Sequence, residues 1–153
     1  MDSYMKLAKE QAEYGLAHNE GGPFGAVITD SEGNIISVAN NQVLKNNDPT
    51  AHAEIQAIRE ACRKLKTYDL SKCILYTSCE PCPMCLSAII WANISKIYYG
   101  CDKKDAANIG FRDDMIYEYF DGKNESILNS TQMDRDECIK LFEKYKEDNG
   151  TIY

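Results

Sequence analysis

Apolar and polar positions recur along this chain in two periods. Over residues 3–18, Tyr4, Leu7, Ala8, Gln11, Ala12, Gly15 and Leu16 fall at spacings of three and four, which predicts an amphipathic helix. Gly21-Gly22-Pro23 then breaks the chain. Residues 24–29 read as a strand, Asp30-Ser31-Glu32-Gly33-Asn34 as a turn and residues 35–39 as the returning strand of a hairpin. The asparagine-rich stretch 40–48 reads as a polar loop, and Pro49-Thr50 opens a helix over about 51–65. Ile55, Ile58, Ala61, Cys62 and Leu65 form the apolar stripe of that helix. Residues 73–77 read as a short buried strand. Pro83 suits the first turn of a helix continuing through 84–92, and 97–99 reads as another strand. Residues 102–120 read as a helix followed by an irregular segment. Residues 134–146 form a final helix with Cys138, Leu141, Phe142 and Tyr145 on one side. Two strands followed by alternating helices and strands predict an α/β protein, a three-layer α/β/α sandwich around a mixed sheet. At 153 residues the chain is one domain's worth, and no repeat, low-complexity run or linker divides it.

Charge narrows the partners. With 17 basic and 24 acidic residues the net charge is −7, which disfavours affinity drawn from nucleic-acid phosphates and leaves a neutral small molecule open. Apolar residues at 44% and charged residues at 27% exclude a disordered or fibrous chain. No basic segment followed by an apolar run opens the sequence, and no window approaches 18 apolar residues. A cytoplasmic protein without a membrane partner is therefore expected. Seven cysteines, an odd number, do not suggest a disulfide framework. Cys62, Cys73, Cys101 and Cys138 are scattered and read as small buried hydrophobes. Cys79, Cys82 and Cys85 crowd together and need a chemical reason.

That reason comes from pairing them with His52-Ala53-Glu54. Two thiolates three positions apart at a helix start face the same side, and the positive helix end favours their charged form. His52, at the start of the preceding long helix, supplies a third ligand. Three protein ligands leave one tetrahedral position open, as in catalytic zinc, and the soft S₂N set suits zinc over magnesium or calcium. Water on such a zinc has its pKa lowered to about 7. Glu54, two residues after His52, lies where its carboxylate reaches that water rather than the metal, as a proton shuttle. A redox Cys-x-x-Cys, an iron–sulfur cluster or a closed structural zinc site are the alternatives, but no well-placed fourth cysteine completes a cluster. Cys79 is then a buried non-ligand. His18, at the end of the first helix, receives no role.

His-x-Glu followed by Pro-Cys-x-x-Cys marks the zinc nucleobase deaminases, and here the chain resembles the cytidine-deaminase-like superfamily. It resembles most the small bacterial-type guanine deaminases, through residues 22–28, 47–54 and 74–85, and through Asp105-Ala106-Ala107 and Gly110-Phe111-Arg112-Asp113-Asp114. The resemblance implies one zinc per subunit on His52, Cys82 and Cys85. It implies a zinc-bound hydroxide attacking C2 of guanine to give xanthine and ammonia, with Glu54 moving the protons. Asn41 then hydrogen-bonds the purine, Phe24 and Trp91 form aromatic walls, and the Ala53 backbone adds a contact. Asp113 takes the second acidic role, binding the substrate amine. The family pattern reads Phe-Asp-Asp where this chain reads Phe111-Arg112-Asp113-Asp114, so Asp114 stands as the alternative. The resemblance further implies a purine-catabolic homodimer in which residues about 134–153 are swapped between subunits and the tail ending in Tyr153 closes the site. A tRNA-specific adenosine deaminase or a cytosine or nucleoside deaminase would use the same zinc motif.

Overall fold

The computed structural model describes residues 2–153. They contain a mixed α/β fold whose element order follows the apolar periods. The first helix, α1 (Ser3–Ala17), is started by Asp2, whose carboxylate accepts the Tyr4 and Met5 amides. Strands β1 (Gly25–Asp30) and β2 (Ile35–Asn40) form the expected hairpin. Asp30 ties its turn by accepting the amides of Glu32 and Asn34. Within the stretch read as loop, a four-residue helix forms, α2 (Val43–Asn46), closed by Asn47 in the left-handed conformation. A single turn of helix is too short to show a period, which is why the pattern missed it.

Next come α3 (Ala53–Leu65), β3 (Cys73–Cys79), α4 (Pro83–Trp91) and β4 (Ile97–Cys101). The sheet order is β2-β1-β3-β4, antiparallel except between β3 and β4. On β3, Cys73, Leu75, Thr77 and Cys79 are buried in alternation, which is the period-2 signature of a sheet covered on that face. The core on that side joins Ala26 and Ile28 of β1, Leu75 of β3, Ala57 and Ala61 of α3 and Ile89 of α4. Burying side chains the size of Ile28 or Leu75 contributes about 1.5–3 kcal/mol each. The opposite face carries α1, with Ala8, Ala12 and Gly15 buried and Tyr4 packed on Tyr76 at 4.9 Å between ring centres. These are the three layers that the sequence predicts.

Residues 102–120 resolve into two helices rather than one, α5 (Lys103–Asn108) and α6 (Asp114–Phe120). A 3₁₀ turn (Glu125–Ile127) and the last helix, α7 (Arg135–Glu147), follow. The chain divides into two compact units, one ending at Asp113 and the other running Asp114–Tyr153. In the second unit, Tyr145 holds the final residues: its hydroxyl donates to the Thr151 carbonyl at 2.5 Å, and the Gly150 amide donates to the Tyr145 carbonyl. Among the scattered cysteines Cys73 is buried and Cys62 half-buried, but Cys101 and Cys138 are exposed, against expectation. Cys101 lies on the edge strand β4, and no residue of α7 is buried. No helix among the described residues is long and apolar enough to cross a membrane.

Candidate metal centre and active site

One end of the sheet gathers the chemistry. Gly25 starts β1 opposite Asn40, which ends β2, and Ala26 faces Thr77 near the end of β3. The residues just outside these ends are therefore neighbours: Phe24, Asn41 and the Pro81-Cys82 turn. The Gly25 amide donates to Ser78 Oγ at 3.0 Å, and the Gln42 amide donates to the Ala51 carbonyl at 2.9 Å. The second bond brings the Asn41 loop to the residue preceding His52.

His52 is the N-cap of α3 and Cys82 the N-cap of α4, each with an extended backbone (ψ 156° and 169°), and neither side chain caps its helix. Pro83 follows at the first helical position, where its missing N–H costs nothing. Cys85 then sits one turn in. His52 Nδ1 lies 3.6 Å from Cys82 Sγ and 3.5 Å from Cys85 Sγ. The three donor atoms all lie within 4.8 Å of one another. Ideal Zn–S and Zn–N lengths at a tetrahedral angle require about 3.6 Å between sulfur and nitrogen, so the donor set fits zinc through Nδ1 without rearrangement. Hydrogen bonds from Cys85 and His52 hold Cys82 down to about 4, while Cys85, beside that thiolate and buried, is pushed up. Cys79 is buried with its thiol pushed up to about 12 by burial, outside the ligand cluster.

Glu54, 6% exposed, stands in the first turn of α3. Its Oε2 accepts from Cys85 Sγ at 3.5 Å. Oε1 lies 3.2 Å from Thr77 Oγ1, a hydroxyl that also reaches the Cys79 carbonyl at 3.0 Å. Burial raises the Glu54 pKa, which brings proton exchange closer to neutral pH. Thr77 was not singled out from sequence. Its signal was a hydroxyl on the otherwise apolar buried face of β3.

Asn41 is buried, and its Oδ1 accepts the amides of Gly22 (3.3 Å) and Val43 (3.1 Å). Its own amide donates to the Phe24 carbonyl. The Phe24 ring meets Phe111 edge to face, 5.0 Å between centres. Phe111 is a second aromatic that the sequence reading did not place at the site. Ala53 opens α3, where the N–H has no intrahelical acceptor. Asp113 is half-buried, and its carboxyl is raised first by burial and then by the Cys82 thiolate, so it lies within electrostatic reach of the metal centre.

The structure does not bring Trp91 to this site. It closes α4 at 69% exposure within the subunit, nine residues after Cys82 and six after Cys85, about 13 and 9 Å along the helix axis. Tyr153 ends the second unit. That unit also holds a cavity of about 650 Å³, lined by Tyr119, Phe120, Leu128 and Asn129 among others, with no His or Cys in its wall.

An α/β fold presenting His, Cys and Cys from two helix starts, with a buried glutamate beside them, defines a zinc-dependent hydrolytic deaminase. Residues 1–101 match the cytidine and deoxycytidylate deaminase zinc-binding region, and the chain belongs to that family. It is 51% identical over 120 residues to the guanine deaminase of Bacillus subtilis, covering 78% of this chain and 76% of that protein. The crystal structure of a Bacillus subtilis guanine deaminase superposes with a TM-score of 0.89 at 44% identity, covering 96% of this chain and 95% of that one. The tRNA-specific adenosine deaminase of Aquifex aeolicus is 45% identical over 102 residues, 66% of each chain.

Proposed function

We propose that the protein hydrolyses guanine to xanthine and ammonia, with one zinc ion per subunit on His52, Cys82 and Cys85. The observation that carries the reading is the buried Glu54 carboxylate set against Cys85 and beside His52, at a donor set with the separations zinc requires. Zinc, when bound, supplies Lewis-acid activation of water at neutral pH.

The chain's own groups do the rest. Glu54 Oε2 takes a proton from water and returns it to the purine, and its raised pKa keeps the proton exchangeable. Thr77 orients that carboxylate by donating its hydroxyl to Oε1. Asn41 donates from its carboxamide to the purine, and the Ala53 N–H adds a second donor. Phe24 covers the ring. Asp113 accepts from the exocyclic amine and assists its departure as ammonia. Tyr153 and the tail close the site against bulk water. The working unit is a cytoplasmic homodimer in which residues about 134–153 cross between subunits.

Relatives of two kinds share the metal motif, so the discriminating experiment is ammonia release from guanine, adenine, guanosine, cytosine, cytidine and an anticodon stem-loop. Guanine is expected to be the substrate turned over, in keeping with a charge of −7 that disfavours RNA. Turnover of the stem-loop or of cytosine, with none of guanine, would overturn the substrate and leave the zinc chemistry standing.

A further inference from the structure

The segment between α1 and α2 contains a buried ionic group that the reaction does not use. Helix α1 ends in a Schellman turn: Asn19 is left-handed (φ 55°), its amide donates to the Leu16 carbonyl, and the Glu20 amide donates to the Gly15 carbonyl. The residue in Glu20's place in such a turn is commonly apolar and packs back on the helix. Here it is a carboxylate with its side chain only 8% exposed. A buried charge persists only if it is paired and hydrogen-bonded, and this one is. Oε2 accepts from Asn40 Nδ2 at 2.7 Å, and Oε1 pairs with Lys45 Nζ at 2.8 Å. The Glu20 carbonyl accepts the amides of Leu44 (3.1 Å) and Lys45 (3.0 Å). These bonds hold the Glu20 carboxyl below the usual carboxylate range.

Apart from Gly15, every hydrogen-bond partner of Glu20 flanks Asn41. Asn40 precedes it, and its Nδ2 also donates to the Asn41 carbonyl at 3.0 Å. Leu44 and Lys45 belong to α2, whose first residue, Val43, supplies one of the two amides on Asn41 Oδ1. Gly21, next to Glu20, has no Cβ because one would stand 2.1 Å from Asn41 Oδ1. Two backbone donors on Oδ1 fix which way the carboxamide points. Its Nδ2 makes no hydrogen bond among the described residues. The side chain is thus held with its acceptor spent and its donor open.

We propose that Glu20 is a positioning residue for purine binding. By clamping Asn40 and Lys45 it holds the loop so that Asn41 presents only its NH₂ to a hydrogen-bond acceptor on the base. The inference rests on the assignment of Asn41 to the purine. It adds that the site selects for a ring acceptor at that position, and that an ion pair on the far side of the loop maintains the selection.

The test is a double-mutant cycle on the zinc-loaded protein, with kcat and KM for guanine, zinc content and thermal midpoint measured for wild type, Glu20→Ala, Asn41→Ala and the double variant. Glu20→Ala is expected to raise KM about tenfold, the worth of one well-placed hydrogen bond, with kcat and zinc content little changed. In the Asn41→Ala background the same substitution is expected to add almost nothing to KM. Glu20→Gln, which keeps an acceptor for Asn40, should recover most of the loss. Lys45→Met reaches the same clamp from its exposed side and serves if Glu20→Ala fails to fold; its smaller KM increase should also vanish without Asn41. An unchanged KM, or equal fold-losses with and without Asn41, overturns the proposal, since a merely structural role would lower the thermal midpoint without that coupling. If Asn41→Ala alone leaves KM unchanged, the purine assignment itself fails and the proposal with it. If guanine is not turned over by the wild type, only the substrate is wrong, and the cycle run on the base that is turned over decides in the same way.

Discussion

Asp113 and Asp114 are adjacent in sequence and opposite in circumstance. Asp113 closes the first unit, half-buried and within reach of the Cys82 thiolate, whereas Asp114 is exposed in the first turn of α6. Asp113→Asn is therefore expected to cost roughly 100-fold in kcat with zinc retained, and Asp114→Asn less than about threefold. Glu54→Gln should cost at least as much as Asp113→Asn, also without metal loss. Steady-state kinetics paired with metal analysis separates the three, and a larger loss at Asp114 would reverse the assignment across Arg112. The clustering of His52, Cys82 and Cys85, with Glu54 beside Cys85, was legible in sequence because each half of the motif is local and opens a helix. Thr77, Phe111 and Glu20 were not, since each is brought to the site by sheet register or by a loop closing across the fold. Trp91 stands exposed at the end of α4 within one subunit, so its expected place in an aromatic wall is not formed by this chain's own packing.

Among the elements, α1 and β1 meet closely at Gly25. A Cβ on Gly25 would stand 1.9 Å from the Ala8 carbonyl oxygen and 2.8 Å from the Ala12 nitrogen, both backbone atoms that cannot turn aside. Helix and strand approach so closely only because residue 25 has no side chain. Gly25→Ala is expected to destabilise by about 3 kcal/mol, lowering the thermal midpoint by about 10 °C. A midpoint within a degree or two of wild type would show that the helix shifts freely. This contact lies beside Phe24 and the Gly25–Ser78 bond, so its loss should reach the substrate pocket before the metal. The hairpin, both long internal helices and the mixed sheet followed from their periods. Helix α2 and the division of residues 102–120 did not, because short elements are set by capping and tertiary contact rather than by pattern.

At the scale of the molecule, apolar surface remains exposed. On α7, Leu141, Phe142 and Tyr145 share a face and none is buried, and Ile90 and Trp91 stand exposed at the end of α4. Faces of this kind mark association surfaces. The proposed homodimer accounts for the α7 face with a second copy of the chain, and Phe142→Glu is then expected to convert dimer to monomer in sedimentation velocity and to reduce turnover together. A wild-type protein that sediments as a monomer at micromolar concentration would refute the assembly. The charge of −7 acts at this scale too, disfavouring a polyanionic RNA partner.

His52 and Cys82 each occupy the position where a helix most rewards serine, threonine, aspartate or asparagine, and neither side chain caps. A replacement by one of those residues would stabilise the metal-free fold by about 1 kcal/mol at each site. The protein therefore sits off its own stability optimum at two of the three residues proposed to hold zinc. Directed evolution for heat resistance, run without a demand for turnover, would drift toward aspartate or serine at both positions and yield a sturdier, inert descendant.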